Sequence, residues 1–199
     1  MGDVLAGITT SVDGYVVGPD DGPGRGLGIG GERLHYWVFG GPWSYEHEPT
    51  GQMEPEDQAW MDEAMTSMGA VVAGRGTYEA ADHWGDQNPW GLPFFIVTHR
   101  PGEQPEGDAF AFVEGVEEAV RQAREAAGEK NVHVMGGADV IRQALAAGLV
   151  DRLSIIVAPV ILGGGKRLFD GFEHDMDLEH LGVRQSRFAT FIDYRVVKK

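Results

Sequence analysis

The stretch VHVMGGADVIRQAL, residues 132–145, decides how the rest of the chain is read. An apolar run of strand length enters two glycines, and the residues after them space their apolar side chains at helical intervals, with Gly148 placed to end the helix. A strand that turns directly into a helix is half of a βαβ unit, which belongs to a largely parallel sheet covered by helices. The Gly136–Gly137 turn leaves room for a ligand phosphate to approach backbone N–H groups at a helix start. Residues of these types equally make a plain tight turn with Asp139 near the cap.

The same form recurs in VVAGRGTYE, residues 71–79, where Gly74, Arg75, Gly76 and Thr77 follow an apolar run. A guanidinium fork with a hydroxyl two residues on suits a bidentate phosphate clamp. After FFIV, residues 94–97, come Thr98, His99 and Arg100. All three turns follow the C-terminal end of a strand, so in a parallel sheet they open on one edge, where α/β proteins bind ligands.

Further strands are expected at 4–9, 110–113 and 153–161, and helices at 55–68, 116–128 and 138–148. Residues after 178 form two alternating runs about Ser186, which suit an antiparallel hairpin and make the sheet mixed. No repeat or linker divides residues 1–199, so a single domain is expected. The exception to regular structure is a Gly- and Pro-rich segment at about 18–52, whose Tyr36, Trp37, Phe39 and Trp43 favour a packed lid.

Several chemistries are disfavoured. The 199 residues contain no cysteine, which removes disulfides, thiolate nucleophiles and cysteine zinc sites. The seven histidines form no metal-binding string, so no metal is expected, and no Gly-x-Ser-x-Gly elbow supports a hydrolase. Gly26-x-Gly28-x-x-Gly31 lacks the strand that a dinucleotide loop requires. Gly163–Lys166 lacks the upstream Gly and the following Ser or Thr of a P-loop, and reads as a turn with two solvated cations. A formal net charge of −15 repels nucleic acid and anionic lipid, and the N-terminus has neither the basic nor the apolar region of a leader, so a cytoplasmic protein is expected.

Residues 6–16 (AGITTSVDGYV), 74–79, 97–100, 134–140 and 159–169 (PVILGGGKRLF) together resemble the dihydrofolate reductase-like family, closest to its branch related to the pyrimidine reductase domain of riboflavin biosynthesis. The resemblance implies a three-layer α/β/α fold around a mixed, mostly parallel eight-stranded sheet with a C-terminal antiparallel hairpin. It implies NADPH across the strand ends, with Gly74, Arg75 and Thr77 near the 2′-phosphate and pyrophosphate, and Thr98 and Arg100 near the adenosine ribose and its phosphate. Gly136, Gly137, Ala138, Asp139 and Val140 would offer backbone amides to the pyrophosphate, the Gly136–Gly137 peptide being often cis in the family, and Ala6 would face the nicotinamide carboxamide.

Hydride transfer to a C=N or C=O carbon also needs a proton source. Asp57 falls about where the folate-reducing branch carries its acid, and Asp13 where the riboflavin branch carries an Asp near substrate. Capping a helix and forming a turn are the alternative roles of these two residues. Trp37 or Phe39 would cover a substrate that is either pterin- or folate-like or ribosylaminopyrimidine-like. A homodimer is expected from the resemblance. A non-catalytic NADP- or flavin-binding module that keeps the cleft is the alternative to a reductase.

Overall fold

The computed structural model describes residues 2–47, 49 and 51–198. Ten strands occur in chain order: β1 (Val4–Ser11), β2 (Tyr15–Val17), β3 (Met68–Gly74), β4 (Phe94–Val97), β5 (Ala111–Val113), β6 (Asn131–Gly136), β7 (Arg152–Ala158), β8 (Lys166–Arg167), β9 (Leu178–Gln185) and β10 (Thr190–Val196). The helices are α1 (Tyr36–Phe39), α2 (Pro55–Ser67), α3 (Arg75–Ala80), α4 (Val116–Ala127) and α5 (Ala138–Ala146).

Eight strands form one sheet in the order β5-β4-β3-β6-β1-β7-β10-β9. The six from β5 to β7 run parallel, and β10 and β9 are antiparallel to their neighbours, as the hairpin about Ser186 predicts. The hairpin closes with the Ser186 N–H donating to the Ala189 carbonyl at 2.8 Å, while Ser186 Oγ accepts from the N–H groups of Phe188 and Ala189. The expected strand at 153–161 stops at Ala158, because Pro159 has no N–H with which to continue a ladder. The pair β2–β8 is a separate two-stranded ribbon that strand-length pattern does not reveal.

Each face of the sheet carries helices because each element has one apolar side. On one face, Val116, Ala119, Val120, Ala123 and Ala127 of α4 and Ile141, Ala144 and Leu145 of α5 meet Val4, Ala6, Val72, Val132 and Val134. Pro55 opens α2 at a position that needs no N–H, and Gly128 (φ 63°) ends α4. On the opposite face, Trp60 of α2 packs with Trp37, Ile156 and Phe191. An aromatic cluster of Tyr78, Phe94, Phe110 and Phe112 fills the space near β4 and β5.

The segment at 18–52, expected as a lid, packs in part on the sheet within its described residues; Glu48 and Thr50 lie outside them. It contains a 3-10 turn at Gly31–His35 followed by α1, and buries Leu34 and Trp37. The Trp37 indole N–H donates to Thr9 Oγ1 at 3.1 Å, tying the segment to the central strand.

Candidate functional site

β1 and β6 pair only from Val4 to Ala6, after which the two strands part. β6 ends in Gly136, whose φ of 118° suits glycine, and the Gly136–Gly137 peptide is cis. This fork, at the C-terminal ends of the parallel strands, opens a cleft of about 680 Å³. Its floor is Ile8 and Thr9, and its walls include Gly74, Arg75, Thr77, Thr98, Arg100 and residues 137–140. The three strand-end turns singled out in the sequence therefore converge on one cavity.

Each turn contributes differently. Gly137 lies against Thr77, such that a Cβ on it would come within 3.3 Å of Thr77 Oγ1. No side chain among the described residues caps α5, so its first-turn N–H groups have no side-chain partner. Asp139 turns instead along its own helix, to Arg142 at 3.4 Å and Gln143 at 2.6 Å. Thr98 is buried, and its Oγ1 accepts from the Arg100 N–H at 3.1 Å.

Arg75 carries the most informative geometry. Its Nε donates to Glu79 at 2.8 Å and its Nη2 pairs with Glu103 at 2.7 Å. Its Nη1 is buried without a partner among the described residues. The guanidinium lies 5.7 Å from the centre of the Phe112 ring. An unanswered buried N–H of a cation beside a cleft wall is a place for an anion.

The remaining candidates fall outside the cavity lining. Ala6 is buried at the last paired position before the fork, and Gly136 forms the turn behind Gly137. Asp13 accepts from Ser11 Oγ at 2.7 Å and from the N–H groups of Leu162 and Gly163 at 3.1 and 2.8 Å. These donors, the Ser11 hydroxyl first, lower its pKa from 3.8 to about 2. Its carboxylate holds the β1–β2 turn against the loop after β7. Since the folded pKa is depressed, this stabilisation is present above pH 3.8 and lost as pH falls through about 2. Asp13→Asn should accordingly lower the melting midpoint at neutral pH, the difference from the parent vanishing in acid; thermal scans across that range measure it.

Asp57 is fully buried at the start of α2, one turn before Trp60; no well-formed hydrogen bond reaches its carboxylate oxygens among the described residues, and the Ser186 hydroxyl is the neighbouring donor that acts on it. Burial raises its pKa, with Glu54 and Glu56 acting in the same direction and the Ser186 hydroxyl opposing. Trp37 packs on Trp60 and Phe191, and Phe39 packs on Trp43 at 4.9 Å between ring centres. From the lid it is Asp21, Gly26, Leu27 and His35 that line the cleft.

His35 escaped sequence reasoning, because a lone histidine in a Gly-rich segment carries no motif. Its Nδ1 is buried without a partner among the described residues, and burial lowers its pKa to about 4, so it is neutral at neutral pH. Lys166 and Arg167, expected as solvated cations, form the cleft rim: Lys166 pairs with Asp21 of the lid, and Arg167 lies 4.7 Å over the Tyr15 ring. Arg142 donates to the carbonyls of Arg167 and Leu168, which ties that rim to α5. Among the described residues, no three His, Asp or Glu side chains come together as a metal site, and no helix is long and apolar enough to cross a membrane.

Comparison with known proteins agrees with this architecture. Residues 3–189 match the family model of the RibD C-terminal domain. No curated protein matches the chain. Among solved structures, a protein attributed to riboflavin biosynthesis in Shewanella sp. PV-4 superposes with a TM-score of 0.73 at 20% identity, over 98% of this chain and 99% of that one. Dihydrofolate reductase from Enterococcus faecalis, solved with NADP(H) and RAB-propyl, gives 0.62 at 17% identity, over 98% and 97%. The Thermotoga maritima diaminohydroxyphosphoribosylaminopyrimidine deaminase/5-amino-6-(5-phosphoribosylamino)uracil reductase gives 0.64 at 13% identity, over 98% of this chain and 57% of that one. At these identities the likeness is one of fold, and the fold is that of dihydrofolate reductase.

Proposed function

The chain belongs to the family of the RibD C-terminal domain, and from that premise we propose that it is an NADPH-dependent reductase acting on a C=N or C=O bond of a small pterin-, folate- or ribosylaminopyrimidine-like substrate. The observation that carries the reading is the convergence of three strand-end turns on one cleft whose lining includes Arg75, which keeps a buried Nη1 with no partner among the described residues.

The residues present fit the cofactor. Arg75 and Arg100 supply cations for the 2′-phosphate side, with Thr98 beside them, and the uncapped first turn of α5 supplies N–H donors for a pyrophosphate. Gly137 leaves the approach to those amides clear of a side chain. NADPH, when bound, supplies the hydride. Ile8, Val16, Val17 and Leu27 give the cleft apolar walls that exclude water around the reacting carbon. His35, neutral and with an Nδ1 that has no partner among the described residues, is available for a hydrogen bond within the cleft, and the proton for the reduced substrate comes from water, since Asp57 does not line the cleft.

Titration with NADPH and with NADH, followed by tryptophan quenching, tests the reading. Saturable NADPH binding is expected, weakened about tenfold by Arg75→Ala, the order of one lost charge-assisted contact, with NADH much less affected. Absence of binding by either nucleotide would sink the proposal.

A second reading has one observation in its favour: neither Asp13 nor Asp57 lines the cleft. A module that binds NADP or a flavin without turnover would look the same. Oxidation of NADPH on addition of folates, pyrimidines or small carbonyl compounds separates the two.

A further inference from the structure

Arg75 stands in a chain of −15 net charge, yet its own charge is already answered. Glu79, one turn along α3, takes the Nε, and Glu103 reaches across from the turn at Pro101–Glu103 to take Nη2 at 2.7 Å. The same Glu103 carboxylate accepts from Arg100 Nη1 at 3.2 Å. It is therefore held between the two guanidinium groups that line this end of the cleft, and two carboxylates balance two cations there. The turn carrying Glu103 is anchored: its N–H donates to the Arg100 carbonyl, and the neighbouring Gln104 side chain accepts from the Phe112 N–H at 2.9 Å.

We propose that Glu103 is a built-in competitor for the phosphate-binding arginines, a specificity-determining residue that weakens the binding of a 2′-phosphorylated cofactor and narrows the preference for NADPH over NADH. The proposal rests on the nucleotide-binding reading given above. A phosphate monoester entering between Arg75 and Arg100 meets a carboxylate with the same charge sign and the same hydrogen-bond demand. It must either displace Glu103 from both arginines or share them at short range, and each course costs affinity that NADH, which lacks the group, does not lose. Glu103 is about half exposed and its pairs are surface pairs, so the side chain is displaceable and the phosphate is disfavoured without being excluded.

Glu103→Gln keeps the side chain's size and removes its charge. Isothermal titration of the parent and the variant with NADPH and with NADH, at low salt and again in about 1 M salt, tests the assignment. The variant is expected to bind NADPH about tenfold more tightly at low salt, from a unit charge acting on a dianion near the surface, with NADH changed less than about twofold. The gain should shrink in about 1 M salt, where screening acts over about 3 Å. Weaker NADPH binding by the variant would mean that Glu103 positions the arginines for phosphate, and equal binding would mean that it is a bystander; either overturns the proposal while leaving the cofactor reading intact. A gain undiminished by salt would overturn the electrostatic account. Failure of both proteins to bind either nucleotide would overturn the cofactor reading, and this one with it.

Discussion

Phe191→Ala is expected to lower the stability of the protein by about 3–5 kcal/mol, the range for truncating a buried aromatic side chain. Phe191 is completely buried on β10, stacked on Trp60 at 5.1 Å and edge-on to Trp37 at 5.3 Å. Its ring is the common partner of α2 and the lid, and a cavity in its place has rigid walls: indoles on two sides and the sheet beneath. At about 2–4 °C for each kcal/mol in a chain of this size, the melting midpoint should fall by more than 6 °C. Phe191→Leu, which refills much of the volume, should recover a large part of the loss. Thermal denaturation decides the matter, and a fall of under about 2 °C for Phe191→Ala would show that the cluster is not the keystone of that face.

Asp57→Asn is expected to act in the opposite direction. A buried carboxylate with no well-formed hydrogen bond among the described residues, and only the Ser186 hydroxyl acting on it, costs free energy at any pH where it is ionised. Because its folded pKa lies above the ordinary 3.8, the folded protein holds the proton more firmly than the unfolded chain. Stability therefore falls as pH rises from 3.8 through the raised value, and the cost is complete once the carboxylate is ionised. Asp57→Asn should gain about 1–3 kcal/mol at pH 7, with the gain disappearing below about pH 4. Melting curves of both proteins from pH 4 to pH 7 measure it. A variant both more stable and inactive in NADPH oxidation would mark Asp57 as a residue kept for chemistry at the expense of stability. A loss of stability at pH 7 would mean that the carboxylate has a partner in solution.

Most of the fold is legible in the chain because its determinants are local. Continuous runs such as VVAG and FFIV mark strands buried on both faces, and the Pro55 start and the Gly128 and Gly148 stops bound three helices. What escapes is non-local. β2 and β8 are three and two residues long, too short for any periodicity, and exist only through each other. The i,i+4 relation of Arg75 to Glu79 is visible in the sequence, whereas Glu103 arrives from another turn and no spacing links it to Arg75. The burial of Asp57 is likewise tertiary: an acid in the first turn of a helix is ordinarily a solvated one. The turns that line the cleft could be placed from strand order alone, but which lid residues reach it could not. His35 lines the cavity from the turn just before the buried Trp37, not through any pattern of its own.

The position of β1 has a bearing on how the protein is made. The strand lies in the middle of the sheet, and its partners are β6 and β7: Val4 pairs with Val132, and Leu5 with Arg152. During synthesis VLAGITTS must therefore wait, with its sheet-forming edges open, until some 150 further residues have been added, about 7–30 s at 5–20 residues per second. Pairing at such sequence separation is a high-contact-order arrangement, which favours slow folding over fast. The strand at the core of the sheet is thus made well before the partners that shelter it.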